Sequence, residues 1–354
     1  MDASNLDAPL TLSDDKCIER RAPIGLGCAS AIQKHEVFYP PLKQAKPKTK
    51  KTERHTKEHS KFQQERRTPI KLNVCHFAIA AMVLIVVAPG VANAAECSSS
   101  ITSCGCTITD PGVYTVTAPL SYTQGLTERN GCIDVAAQKV TLIVNDNAIT
   151  GAGTGTGVGI HLLRSARGVF LEGAGTRDAC CASVSGWQYG LESEASDVIS
   201  DGFGFSNNTT GVLLNRAENN NINDFNARKN SVYGVWIKGS SGNQINSSGS
   251  SSNGVAGVYL GCSATGPAGE VCKEETGKED HETSNGNFVY DLGAYANGGY
   301  GIAVEEGSKH NRIMDTTGGF NTTDDVFDGN LDANCDSNLW QSNSFSSSNQ
   351  ACIQ

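Results

Sequence analysis

The sequence predicts an all-β fold, a three-sided parallel β-helix of about 23 residues per coil, on three observations. The first is a phrase, G-[VI]-x-[LIV], written four times: Gly211-Val212-Leu213-Leu214, Gly234-Val235-Trp236-Ile237, Gly257-Val258-Tyr259-Leu260 and Gly301-Ile302-Ala303-Val304. Its glycines stand 23, 23 and 44 residues apart. The second is an N-x-[IV] phrase between them: Asn220-Asn221-Ile222, Asn243-Gln244-Ile245, Asn287-Phe288-Val289 and Asn311-Arg312-Ile313. The third is an Asn four residues before each glycine, at Asn207, Asn230, Asn253 and Asn297, with Asn321 in the same place before Asp325.

The apolar runs are short and alternate, and they are cut by Gly, Asn, Ser and Asp, which is the signal of strands and turns. No run has the spacing or length of a helix-pair repeat. Each coil then adds one rung roughly 4.8 Å above the last. Asn suits the corners because it tolerates left-handed backbone, and a stack of them can form an amide ladder. With these phrases the chain resembles the right-handed parallel β-helix superfamily, the pectin-lyase-like fold, and within it the NosD-like repeat proteins. The resemblance implies a single-stranded right-handed β-helix over most of 95–354. It leaves function open, because that fold carries lyases, hydrolases, epimerases, adhesins and proteins with no activity.

Before the repeats the chain is of another kind. Residues 1–70 form a basic extension, with eleven Lys/Arg between 43 and 71 and no apolar periodicity, so disorder is expected. Residues 71–94 read as a signal peptide: Lys71, an apolar stretch over 77–91, then Ala92-Asn93-Ala94; an uncleaved anchor behind a long extension is the alternative. An apolar run this short predicts no stable membrane span after cleavage. The charge changes at the same place. Residues 1–94 hold 15 Lys/Arg and 9 Asp/Glu, and 95–354 hold 13 and 28. A domain of net charge −15 excludes nucleic acid and anionic membrane surfaces as natural partners. Secretion to an extracellular or periplasmic space is expected, and ten of the 13 cysteines lie after position 94, which reads as a disulfide set. Cys262–Cys272, around the turn Thr265-Gly266-Pro267-Ala268-Gly269, and Cys335–Cys352, across the C-terminal cap, are the expected local pairs.

Residues 104–173 read as an N-terminal cap and first coils. The glycine-rich 151–157 lacks the order of a dinucleotide loop and is expected to be a corner. The 44-residue gap holds a loop insertion, 262–285, carrying Glu274, Glu275 and His281. Long loops in solenoids gather on one binding face; a solvated variable loop would satisfy the same charges.

Three constellations could carry chemistry. In G-[VI]-x-[LIV] the third residue points outward, giving the column His161, Leu213, Trp236, Tyr259, Ala303, with Phe327 in register beyond. Trp236 and Tyr259, with Glu274, Glu275 and His281 overhanging, are candidates for a sugar-stacking platform; a cross-strand aromatic pair that only stabilises the sheet is the alternative. Four residues after each N-x-[IV] Asn stand Asp224, Ser247, Asp291 and Asp315. Asp291 and Asp315, with Arg312 near, are the catalytic candidates, since carboxyls about 5 Å apart serve retaining glycosidases; turn capping explains them equally. Last, Asp328, Asn330, Asp332, Asn334 and Asp336 place oxygens at alternate positions, as at the start of a calcium loop. Asx turns explain these too, so Ca2+ is the one cofactor to test.

The ordered catalytic sets of polygalacturonases and alginate epimerases are absent, so no family residue is carried over. The expectation is an exported protein that binds a polysaccharide or surface glycan, with catalysis undecided. The alternatives are a structural or adhesive surface protein without a small ligand, and a polysaccharide lyase, glycoside hydrolase or epimerase.

Overall fold

The computed structural model describes residues 95–122, 131–153, 155–173, 182–262, 283–332, 334–335 and 337–353, all of them within the unit Leu84–Gln354. The basic extension, the signal peptide and the greater part of the 262–285 loop lie outside the described residues. No helix among the described residues is long and apolar enough to cross a membrane.

Ten parallel strands form one face, beginning at Ala95–Glu96 and ending at Asp324–Asp328, each strand between these two paired with the strand one coil before and one coil after. Every copy of the glycine phrase is a strand of this sheet: Thr210–Asn215, Tyr233–Lys238, Ala256–Leu260 and Tyr300–Val304. Apolar residues stack in register, Val212 on Val235 on Val258 on Ile302 on Val326, all with no exposure. The 44-residue gap therefore costs the sheet no rung: Val258 meets Ile302 as directly as it meets Val235. The structure is the parallel β-helix that the period predicts.

The other two faces are rows of shorter strands. They merge into one sheet because Gln244–Ser251 and Phe288–Tyr295 each run through the corner between them. The first part of Phe288–Tyr295 pairs with Arg312–Met314 and the second part with Thr317–Gly319. At that corner Asp224, Ser247, Asp291 and Asp315 hold φ of 43°, 48°, 48° and 51°, the left-handed backbone that short polar side chains accept.

Two buried asparagine ladders run up the interior. One is Asn220, Asn243, Asn287, Asn311 and Asn338, where each side-chain oxygen accepts from the backbone N–H of the Asn one coil below. The other is Asn208, Asn230, Asn253, Asn297 and Asn321. The sequence expectation of Asn207 in this ladder is one residue out of place. Asn207 is exposed and takes the left-handed corner at φ 55°, and Asn208 is the buried member. Both residues are Asn, so the four-residue spacing alone selects the wrong one.

Disulfides join Cys97 to Cys106 and Cys104 to Cys132 in the first coils, and Cys335 to Cys352 at the C-terminal end. Cys262 is also disulfide-bonded, and its expected partner Cys272 lies outside the described residues.

Candidate functional site

On the outer side of the left-handed corner lies a cleft of about 320 Å³. Asp224, Ser247, Asp291 and Asp315 line it as one column, each on its own coil, because every coil repeats the same backbone turn at that point. The two carboxylates Asp291 and Asp315 thus stand on adjacent coils, about 4.8 Å apart in backbone spacing. The Ser247 hydroxyl donates to Asp291 Oδ2 at 3.2 Å. Gly249 and Gly293 form part of the floor and leave it shallow. Among the described residues no lysine, arginine or histidine lines the cleft. Its negative field extends to Asp201, whose pKa is raised by desolvation and by the charges of Asp224 and Glu172.

Two exposed tyrosines share the strand Phe288–Tyr295 with Asp291, and neither lines the cleft. Tyr290 precedes Asp291 and is 39% exposed; Tyr295 follows two residues after Gly293 and is 40% exposed. A Cβ on Gly293 would stand 3.1 Å from the Tyr295 ring, so that ring lies close over the floor. Tyr290 is held by stacking on Phe288, with centroids 5.7 Å apart and planes 19° from parallel. The glycine phrase does not point to either tyrosine. Their signal is the alternation in Phe288-Val289-Tyr290-Asp291, which places aromatics on the outward positions of a different face.

No family model matches the chain, and no curated protein matches it. Among solved structures it is similar to the Dettilon tailspike protein, at 14% identity over 60% of this chain and 42% of that one, with a TM-score of 0.40. It is similar to pectate lyase Pel9A at 15% identity, over 70% of each chain, with a TM-score of 0.38. It is also similar to the A-module of the mannuronan C-5 epimerase AlgE6 of Azotobacter vinelandii, at 14% identity over 68% of this chain and 67% of that one, with a TM-score of 0.40. The chain spans less than half the length of the tailspike. No residue role is taken from these likenesses.

The aromatic platform expected at Trp236 and Tyr259 is corrected. Both residues occupy the outward position of adjacent rungs, in register, but Trp236 is 5% exposed and Tyr259 has no exposure. They belong to a second apolar cluster on the outside of the ten-stranded sheet, with Leu213, Tyr233, Ala256 and Ala303. Tyr233 stacks on Tyr259 at 4.9 Å with planes 5° apart, and the Trp236 indole N–H donates to the Gly261 carbonyl at 2.9 Å. Burial, then the Glu305 charge, pushes the Tyr259 hydroxyl pKa far above the usual phenol range. Buried rings of this kind stabilise a sheet and offer no face to a sugar. Glu274, Glu275 and His281 lie outside the described residues.

The alternating oxygens at the C-terminal end are also differently employed. Asp328 is fully buried. Its Oδ1 accepts from the backbone and side-chain amides of Asn330, and its Oδ2 accepts from Asn338 Nδ2 and the Trp340 indole at 3.0 and 3.1 Å. Asn330 Oδ1 accepts from Gly307 N, and Asp332 Oδ2 from Ser337 N. Asn334 is exposed, and Asp336 is outside the described residues. The Asp328 and Asn330 oxygens serve N–H donors, as the turn-capping alternative to a calcium loop has it. Arg312 is exposed at the start of its strand and does not line the cleft.

Proposed function

We propose that the protein binds an uncharged polysaccharide along the corner cleft. The observation that carries this is the column Asp224, Asp291 and Asp315 lining the cleft, with the exposed Tyr290 and Tyr295 on the same strand as Asp291. Carboxylates accept hydrogen bonds from sugar hydroxyls, and hydrogen bonds to charged groups are the stronger kind. Tyrosine rings present large apolar area at low entropy to the C–H faces of sugars. The column crosses four coils, about 14 Å at 4.8 Å per rung, which suits an extended chain better than a single sugar. With three carboxylates and no cation among the described residues of its lining, the cleft repels uronates, so a neutral glycan fits best.

Affinity electrophoresis tests this. The full chain and its Tyr290→Ala and Tyr295→Ala variants are run through gels holding xylan, β-glucan, pectin or alginate. Retardation of the parent by a neutral polymer, lost in both variants, is the expected result. A parent retarded by no polymer would favour the structural or adhesive reading. The same polymers, assayed for new reducing ends, test whether the Asp291 and Asp315 pair hydrolyses what the cleft holds.

The setting we infer is extracellular or periplasmic. Disulfides form and persist in oxidising compartments, and the described caps hold three. On this reading 71–94 directs export and is removed after Ala94. Amino-terminal sequencing of secreted protein should then begin at Ala95; full-length chain retained in membranes would contradict it.

A further inference from the structure

The outward column of the ten-stranded sheet changes character at its N-terminal end. Beyond the apolar Leu213 it continues as Glu192, His161 and Asp134, in register on successive coils. His161 is 6% exposed and Glu192 8%, so a titratable pair is buried where the next rungs carry Leu, Trp and Tyr. Asp134 is fixed by the Gly131 N–H at 3.0 Å and meets His161 Nδ1 at 3.2 Å. That contact puts the proton on Nδ1 and leaves the Nε2 lone pair facing away from Asp134. Nε2 is buried and has no hydrogen-bond partner. A ligating atom of His161 and one carboxylate oxygen each from Glu192 and Glu194 lie within 4.8 Å of one another.

We propose that His161, Glu192 and Glu194 bind a divalent transition cation of the zinc class, with Asp134 as the residue that positions the imidazole. The site is separate from the cleft, lies on another sheet and does not depend on the glycan reading. A histidine serving only as a cation among carboxylates would donate Nε2–H to one of them at hydrogen-bond distance; here Nε2 donates to neither glutamate. The three ligand atoms instead lie within 4.8 Å of one another. Around a tetrahedral ion with bonds of about 2.1 Å, ligand atoms stand about 3.4 Å apart, so rotamer adjustment of two glutamates closes the site. Asn215 Nδ2 approaches Glu192 Oε1 at 3.4 Å and steadies that side chain. A carboxylate holding the non-ligating nitrogen of a metal-bound histidine is the usual outer-shell device. One imidazole and two carboxylates suit zinc better than calcium, which takes six to eight oxygens. Three protein ligands leave a fourth position for water or another ligand.

Calorimetric titration of the chelator-stripped full chain with Zn2+, and with Ca2+ as the hard-ion control, tests the proposal. The expected result is a Zn2+ event that raises Tm, is not reproduced by Ca2+, and weakens at least tenfold in His161→Gln and in Glu194→Gln. Asp134→Asn, which leaves all three ligands in place, should weaken it about tenfold or more. Co2+ should give the visible absorption of a tetrahedral site in the parent and not in the variants. Should His161→Gln fail to fold, Glu194→Gln decides, since Glu194 is only half-buried. Absence of Zn2+ binding, or Zn2+ affinity unchanged in Glu194→Gln, would overturn the site.

Discussion

Gly234 shows why the repeat phrase begins as it does. A Cβ at this position would stand 2.6 Å from the Gly257 carbonyl oxygen and 1.9 Å from the Ser250 hydroxyl. Gly211 and Gly257 meet the carbonyl of the next coil at the same 2.6 Å. The coils can stack this closely only if each carries glycine there. Gly234→Ala should therefore destabilise the protein by about 1–3 kcal/mol through forced backbone shifts, measured by urea unfolding. Asn243 is the other kind of indispensable residue. Its Oδ1 accepts from Asn220 N, and its Nδ2 donates to Ala217 O and Asn287 Oδ1. Asn243→Ala leaves the Asn220 N–H buried without its acceptor, at roughly 1–3 kcal/mol, and removes one of two donors each from Ala217 O, which keeps Ser241 N, and from Asn287 Oδ1, which keeps the backbone N–H of residue 243. A loss of about 2–4 kcal/mol on the same unfolding curve is expected. The glycine phrase and the N-x-[IV] ladder were legible because both follow directly from stacking identical turns. The slip between Asn207 and Asn208 arose because neighbouring asparagines suit the exposed corner and the buried ladder equally, and spacing does not register which way a side chain turns.

An amide ladder has a donor end that needs an acceptor, and the last coil supplies one for each. Asn321 donates from its backbone and side chain to Asp325, and Asn338 donates to Asp328. Aspartate is suited to this place because its ionised carboxylate only accepts. Asp325 also receives Ser346 N, Ser346 Oγ and Ser347 N. Burial alone would raise its pKa, but the bonds from Ser346 and Asn321 outweigh burial and hold it below 3.8. A carboxyl lowered on folding stabilises the fold fully above its unfolded value and loses that contribution as pH falls through the folded one. Urea unfolding of the parent should therefore weaken below about pH 4. Asp325→Asn should be less stable by about 1–3 kcal/mol at pH 7 and should show a shallower decline in acid. An equal decline in both proteins would remove Asp325 from this role. The Cys335–Cys352 bridge, with a separation of 17 residues, should contribute about 3 kcal/mol to the same cap. Fraying of 339–353 in hydrogen exchange after selective reduction is the expected sign. The sequence showed Asp328 as one of a run of alternating oxygens and could not show that N–H donors already fill it.

Across the whole β-helix domain the three faces have different employment. The interior is one continuous apolar core, and the ten-stranded sheet carries a second apolar cluster outside it. The corner of the other sheet keeps an open acidic cleft beside exposed tyrosines. Period and alternation place a residue on a face, and they placed the Asp291 and Asp315 column correctly on adjacent coils. They do not say whether anything packs outside that face. For that reason Trp236 and Tyr259 read as a platform and prove buried, whereas Tyr290 and Tyr295 lie outside the glycine phrase and are exposed. A bound glycan should therefore touch the second pair. Hydroxyl-radical footprinting of the full chain, with and without the neutral oligosaccharide whose polymer retards it, measures this directly. Protection of Tyr290 and Tyr295 on adding the sugar, with Trp236 and Tyr259 unmodified throughout, is the predicted result. Tyr290 and Tyr295 oxidised equally in both conditions, with protection appearing on another face, would contradict it.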